Sequence, residues 1–220
     1  MAKNSVTLKA LHKSRNENFS DELNIRLHRA IKWLGRSEQE EDDFDAQFIF
    51  VWISFNAAYA ELFGVENSER SNLQAFFNKL VLADKEDRIY RLLFDQFTGV
   101  IRTLIENKFV FEPYWKAMRE QDSSEHWQES FSGSKTAAMK RLMEHDTVQV
   151  LQIVFDRLYV LRNQLIHGGA TWNSMVNRQQ VKDGVNLMNK FVPIVIELII
   201  ENSDEDWGEL IYPVVKQLKE

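Results

Sequence analysis

Cysteine is absent from all 220 residues, which excludes disulfides, thiolate metal sites and a cysteine nucleophile. That absence also fits a reducing compartment. Proline occurs three times and glycine eight times. An all-β sandwich needs many turns, so this shortage of chain breakers points to long helices. No Asn-Gly hairpin signal and no sustained apolar–polar alternation suggest a sheet. A long apolar run is missing too. The most apolar stretch, 191–200, is interrupted by Pro193 and Glu197 and falls short of the roughly 20 residues that span a bilayer. Met1-Ala2-Lys3-Asn4-Ser5 leads into polar sequence rather than an apolar signal core. A cytoplasmic protein with no membrane partner is expected.

Positive charge is in deficit, with a net charge of -6, which argues against broad, non-specific affinity for nucleic acid. A local basic site remains open. Lys3, Lys9, His12, Lys13 and Arg15 mark a basic arm over 1–19, acid-free as far as Arg15 and readable as an RNA contact or as a loose, solvated terminus. Glu38 to Asp45 concentrates carboxylates in a solvated loop, whose charge suits the start of a following helix.

What is present is helical periodicity. With 44% hydrophobic and 27% charged residues, the chain has the composition of a globular protein. Residues 20–220 are expected to form one all-α domain. Its first helix runs from the N-cap Ser20 to a stop at Gly35, burying Leu23, Leu27, Ile31 and Leu34. A second, from Phe44 to Phe63, is apolar nearly all round and should lie at the centre, ending at Gly64. Two amphipathic helices follow over 71–82 and 85–105. The stretch 107–131 reads as an irregular insert with short helical pieces, and 134–144 as a short helix capped by Ser134. Helices over 147–167 and 174–201 come next, the first stopped by Gly168-Gly169 and the second free to bend at Pro193. A last helix or turn over 204–218 docks through Trp207, Leu210 and Val214.

The chemistry is carried by the segment that ends at His167. At about 100° per residue, Leu151, Val154, Phe155, Leu158, Leu161 and Leu165 cover one face of its helix, and Arg162 falls roughly 20° from Leu151. A guanidinium in an apolar stripe is costly unless it is paired or opens on a cleft. Asn163 and His167, four residues apart, share a neighbouring line with Tyr159. A fixed cation, an amide and an imidazole suit phosphoryl transfer. Arginine grips phosphate oxygens and stabilises growing charge, while histidine exchanges protons near neutral pH. RNA supplies its own nucleophile in the 2′-hydroxyl, so such a reaction needs no metal. The alternative is structural: Arg162 paired with a buried carboxylate, and His167 as a cation at a helix C-terminus.

Arg162-Asn163-Gln164-Leu165-Ile166-His167-Gly168-Gly169 resembles the signature of HEPN domains, an arginine and a histidine separated by four to six residues. Phe50-Val51-Trp52-Ile53-Ser54-Phe55-Asn56-Ala57-Ala58-Tyr59 is similar to the Trp-Ile-x-Phe-Asn-Ala-x-Tyr pattern of one branch of that family. The two matches bracket about half the chain. The resemblance implies an up-and-down helical bundle with additional C-terminal helices, a homodimer joined through the motif helices, and a metal-independent endoribonuclease site in the shared cleft. Carried over by position, Arg162 would bind the scissile phosphate, His167 would transfer a proton and Asn163 would orient one of them. HEPN domains often serve in toxin–antitoxin or antiviral systems, which implies an antitoxin or other regulatory partner. Some are inactive and act as binding modules.

Asn56, Tyr159, Arg178 and Lys182 are further candidates for substrate contact. Asn56 equally suits a buried hydrogen bond, and Arg178 and Lys182 a solvated face. His12, His28, His126 and His145 are scattered without metal-ligand spacing, so no metal site is expected. No Gly-rich phosphate loop, nucleophile elbow or dinucleotide fingerprint occurs, and no cofactor is expected.

Overall fold

The computed structural model describes residues 3–59, 69–175, 177–210 and 212. Among them the protein is all-α, with no strand. The helices are α1 (Ser5–Arg15), α2 (Asp21–Ser37), α3 (Phe44–Tyr59), α4 (Glu69–Ala83), α5 (Arg88–Arg91), α6 (Thr98–Glu106), α7 (Glu112–Glu120), α8 (His126–Met143), α9 (Thr147–Ile166) and α10 (Arg178–Glu201).

The arm over 1–19 contains a helix rather than a loose terminus. Asn4 and Thr7 form a reciprocal capping box at the start of α1, and Leu8 is completely buried. Ser5 donates its N–H to Glu38 at 2.9 Å, and Lys3 pairs with Glu197. Part of the predicted solvated acidic loop is therefore spent on holding α1. Gly35 does not stop α2. The helix continues to Ser37, and the missing side chain at Gly35 leaves room for Ser5, whose Oγ lies 3.1 Å from where a Cβ would stand.

α2 buries Leu23, Leu27, Ile31 and Leu34, as its stripe predicts. It packs along α3, the central helix, which α10 covers on another side. Phe55 of α3, Phe77 of α4, Phe155 of α9 and Phe191 of α10 meet at the middle of the core. Phe155 has ring centroids 4.6, 5.0 and 5.4 Å from the other three. Such tilted ring pairs add to the burial of large apolar surfaces. Close approach of α10 depends on Gly184, where a Cβ would lie 2.9 Å from Phe48 and 3.1 Å from Leu158.

The predicted single helix over 85–105 is broken. α5 gives way to a π turn at Leu92–Gln96, and α6 begins after Phe97. The 107–131 insert consists of a 3₁₀ turn at Lys108–Val110, then α7, then the start of α8. Ser134 is no N-cap, because α8 already runs from His126. Its hydroxyl instead accepts from Arg157 at 3.2 Å, whose buried guanidinium lies 4.6 Å over the Phe111 ring. Burial lowers the Arg157 pKa to about 10, against the opposing charge of Asp156, so the group stays a cation near neutrality.

α10 runs uninterrupted through Pro193. After it, 202–210 form turns and irregular chain, with Trp207 and Leu210 buried. Arg26, 1% exposed, donates to the Ala58 carbonyl at 3.0 Å and to those of Gly208 and Glu209 at 2.6 and 3.2 Å. Val214, Phe63 and Gly64 lie outside the described residues.

Candidate functional site

α9 is capped by the Asp146 side chain, which accepts from the Gln149 N–H at 3.2 Å, and it ends at His167. The His167 N–H closes on the carbonyls of Asn163 and Leu165. Gly168 then takes a left-handed conformation with φ +69, a C-terminal turn that glycine adopts without strain. Gln164 fixes this end on both sides. It donates to the Phe109 carbonyl at 2.8 Å and accepts from Asn177 at 3.0 Å.

Arg162 is half-buried on the α9 surface. Its Nη1 donates to Asn163 Oδ1 at 2.9 Å, and its guanidinium lies 5.7 Å from the centre of the Tyr159 ring. Its Nε is buried and has no hydrogen-bond partner among the described residues, and no carboxylate among them pairs with it. Arg162 lines a cavity of about 510 Å³, together with Asn56, Tyr59, Arg70, Gln152, Asp156 and Tyr159. Trp52, Phe55 and Phe155 supply its apolar wall.

Asn56, Tyr159 and Arg162 are thus brought together, with Asn163 hydrogen-bonded behind them. His167 is not among the cavity's lining residues. Its side chain is exposed at the end of the helix.

Arg178 does not extend a phosphate surface. Its guanidinium forms two hydrogen bonds to Asp45, at 2.8 and 3.2 Å, and both side chains are largely buried. Asp45 also accepts from the Asn173 N–H at 2.7 Å, and Asp43 accepts from the Trp172 indole at 2.9 Å. These bonds tie the loop after the motif to the start of α3. Burial opposes ionisation of Asp43, but donors from Ala46, Trp172 and Asp45 and the charge of Arg178 outweigh it and hold its pKa below the ordinary value. Lys182 sits 5.1 Å over the Phe44 ring, away from the cavity.

Sequence reasoning missed Gln152, Asp156 and Arg70. Asp156 pairs with Arg70 at 2.5 Å and accepts from Gln152 at 3.4 Å, while the Gln152 Oε1 is buried without a partner among the described residues. Burial raises the Asp156 pKa above the ordinary carboxylate value; the charge of Arg70, the Gln152 hydrogen bond and the charge of Arg157 offset this only in part. The signal was present in the sequence. Gln152, Asp156, Tyr159 and Asn163 follow one another at helical spacing beside the apolar stripe of α9.

Among the described residues, no group of three or more His, Asp or Glu side chains could hold a metal ion, and no helix is long and apolar enough to cross a membrane. Compared with known protein families, curated proteins and solved structures, the chain matches none.

Proposed function

We propose that the protein is an endoribonuclease of the HEPN kind, acting through Arg162, Asn163 and His167 at the end of α9. The observation that carries this reading is the state of Arg162. Its guanidinium opens on a cavity and pairs with no carboxylate among the described residues, the cavity's own Asp156 being bound to Arg70 instead. A half-buried cation of this kind is a ready partner for a phosphate oxygen.

In the reaction, the RNA 2′-hydroxyl loses its proton and attacks the adjacent phosphorus, and the bond to the 5′-oxygen breaks. That oxygen takes up a proton. The products are a 2′,3′-cyclic phosphate and a 5′-hydroxyl. Arg162 stabilises the charge that grows on the phosphoryl oxygens, Asn163 holds the guanidinium in place, and His167 moves one proton.

Because His167 lies outside the cavity that Arg162 lines, a second chain related by a twofold axis is needed to bring an imidazole to the phosphate. A homodimer is part of the proposal. Its biological setting in this reading is a toxin–antitoxin or phage-defence system, with a protein partner that restrains cleavage.

The test is incubation of the purified protein with a mixed RNA pool in EDTA, beside Arg162→Ala and His167→Ala. Chelator-resistant cleavage that disappears in both folded variants supports the enzyme. Cleavage that persists unchanged in them favours the second reading, a non-catalytic helical module that dimerises or binds a partner.

A further inference from the structure

The cavity extends well beyond Arg162, and its far end carries polar groups that phosphate binding leaves unused. Gln152 is 4% exposed, and its Oε1 accepts nothing among the described residues. An unsatisfied buried acceptor is unusual and calls for a donor. One turn along α9, Asp156 holds a carboxylate whose two oxygens receive, among the described residues, only Arg70 and a long bond from Gln152. Each such oxygen can take a further hydrogen bond. The Gln152 side-chain amide and the Asp156 carboxylate are thus neighbours one turn apart on the cavity wall, joined by that long bond and backed by the rings of Trp52 and Phe155, whose centroids are 5.8 Å apart.

We infer that this cavity receives a guanine base of single-stranded RNA, with Gln152 and Asp156 reading the pairing edge. The inference rests on the RNA-cleaving reading and assigns that site its base specificity. Guanine alone among the four bases presents adjacent donors on that edge, its N1–H and N2 amino group. The amino groups of adenine and cytosine stand beside a ring-nitrogen acceptor, which would oppose one of the two protein acceptors. Uracil has a single donor between two carbonyl oxygens. Unstacked RNA bases are commonly held against aromatic side chains and read on this edge. The volume, about 510 Å³, is that of a small-molecule site.

Spacing along the helix agrees. Asp156 and Arg162 are about 9 Å apart in axial rise. Helical side chains lean towards the N-terminus, which draws the guanidinium back over Tyr159 and closer to Asp156. An axial offset of that order is compatible with the span from base to phosphate within one nucleotide.

Calorimetric titration of the whole chain with GMP, AMP, CMP and UMP tests the inference without any cleavage step. GMP should bind about tenfold more tightly than the others or better, the size of one good two-point base contact. Gln152→Leu and Asp156→Asn, checked for folding by circular dichroism, should each remove that preference. Equal affinities for all four nucleotides, no binding, or a preference that survives in both folded variants would each overturn it. Arg162→Ala separates the two proposals. Guanine preference in a chain whose RNA cleavage ignores Arg162 and His167 keeps the base site and removes the nuclease reading. Cleavage that needs both residues but shows no guanine preference does the reverse.

Discussion

Asp45 and Arg178 stand 133 positions apart in the chain and meet in a two-point ion pair, largely shielded from water. The pair joins the first turn of α3 to the first turn of α10. The loop that leaves His167 hangs on the same carboxylate through Asn173. A planar guanidinium suits this geometry better than an ammonium would, because both bonds form in one plane.

Removing one member strands the other. Asp45→Ala should destabilise the fold by about 3 kcal/mol, because Arg178 keeps its buried charge without a partner. The double variant Asp45→Ala with Arg178→Met should lose less than the sum of the two single changes. Urea denaturation of all four proteins measures this coupling. Strictly additive losses would mean that the pair contributes nothing beyond its separate side chains.

Arg162→Ala and His167→Ala should reduce RNA cleavage by about 10²–10⁴-fold. Their melting temperatures should stay close to that of the parent, since neither side chain closes an ion pair among the described residues. A marked fall in melting temperature on replacing Arg162 would assign it a structural role instead. Rates on a defined RNA, read with thermal melts of the same samples, decide between the two.

Gly184 admits no side chain. Gly184→Val places branched carbon against Phe48 and Leu158, and overpacking of this kind costs about 1–3 kcal/mol. Thermal unfolding should report the loss, and a second change at Phe48 to leucine should recover part of it. A Gly184→Val protein as stable as the parent would show that α10 can shift without penalty.

Asp156 gives the fold a pH dependence of stated sign. Its carboxyl holds a proton more readily when folded than when unfolded, because burial raises its pKa from the ordinary 3.8. Its contribution to stability is therefore greatest below that ordinary value. It declines as pH rises through the raised folded value and is constant above it. Asp156→Asn should lack this decline, so its melting temperature should gain on the parent's as pH rises through the acidic range. A constant difference between the two proteins across that range would rule the mechanism out.

Elements with a strong apolar stripe were legible in the sequence. α2 and α9 carry apolar residues three and four positions apart; α2 buries all those the pattern names, and α9 buries all but Leu165, which is half-buried against the core. α1 escaped notice because Leu8 is its one buried residue, and its hold on the core comes from a capping box and bonds to Glu38. The break at Leu92–Gln96 carries no proline, and its lone nearby glycine, Gly99, falls inside α6. Within the candidate site, Arg162 announced itself as a charge in an apolar stripe. Asp45 was hidden inside an acidic run, and its meaning depends on a partner supplied by the fold. The Asp156–Arg70 pair spans 86 positions, a relation that no local pattern encodes.

Arg26 bears on how the molecule is made. Two of its acceptors, the carbonyls of Gly208 and Glu209, are translated 182 and 183 residues after it. During synthesis, α2 and α3 emerge from the ribosome long before those carbonyls exist. Until then the guanidinium can reach the Ala58 carbonyl of α3 but not these two, so this corner of the bundle closes in full only after residue 209 has cleared the exit tunnel.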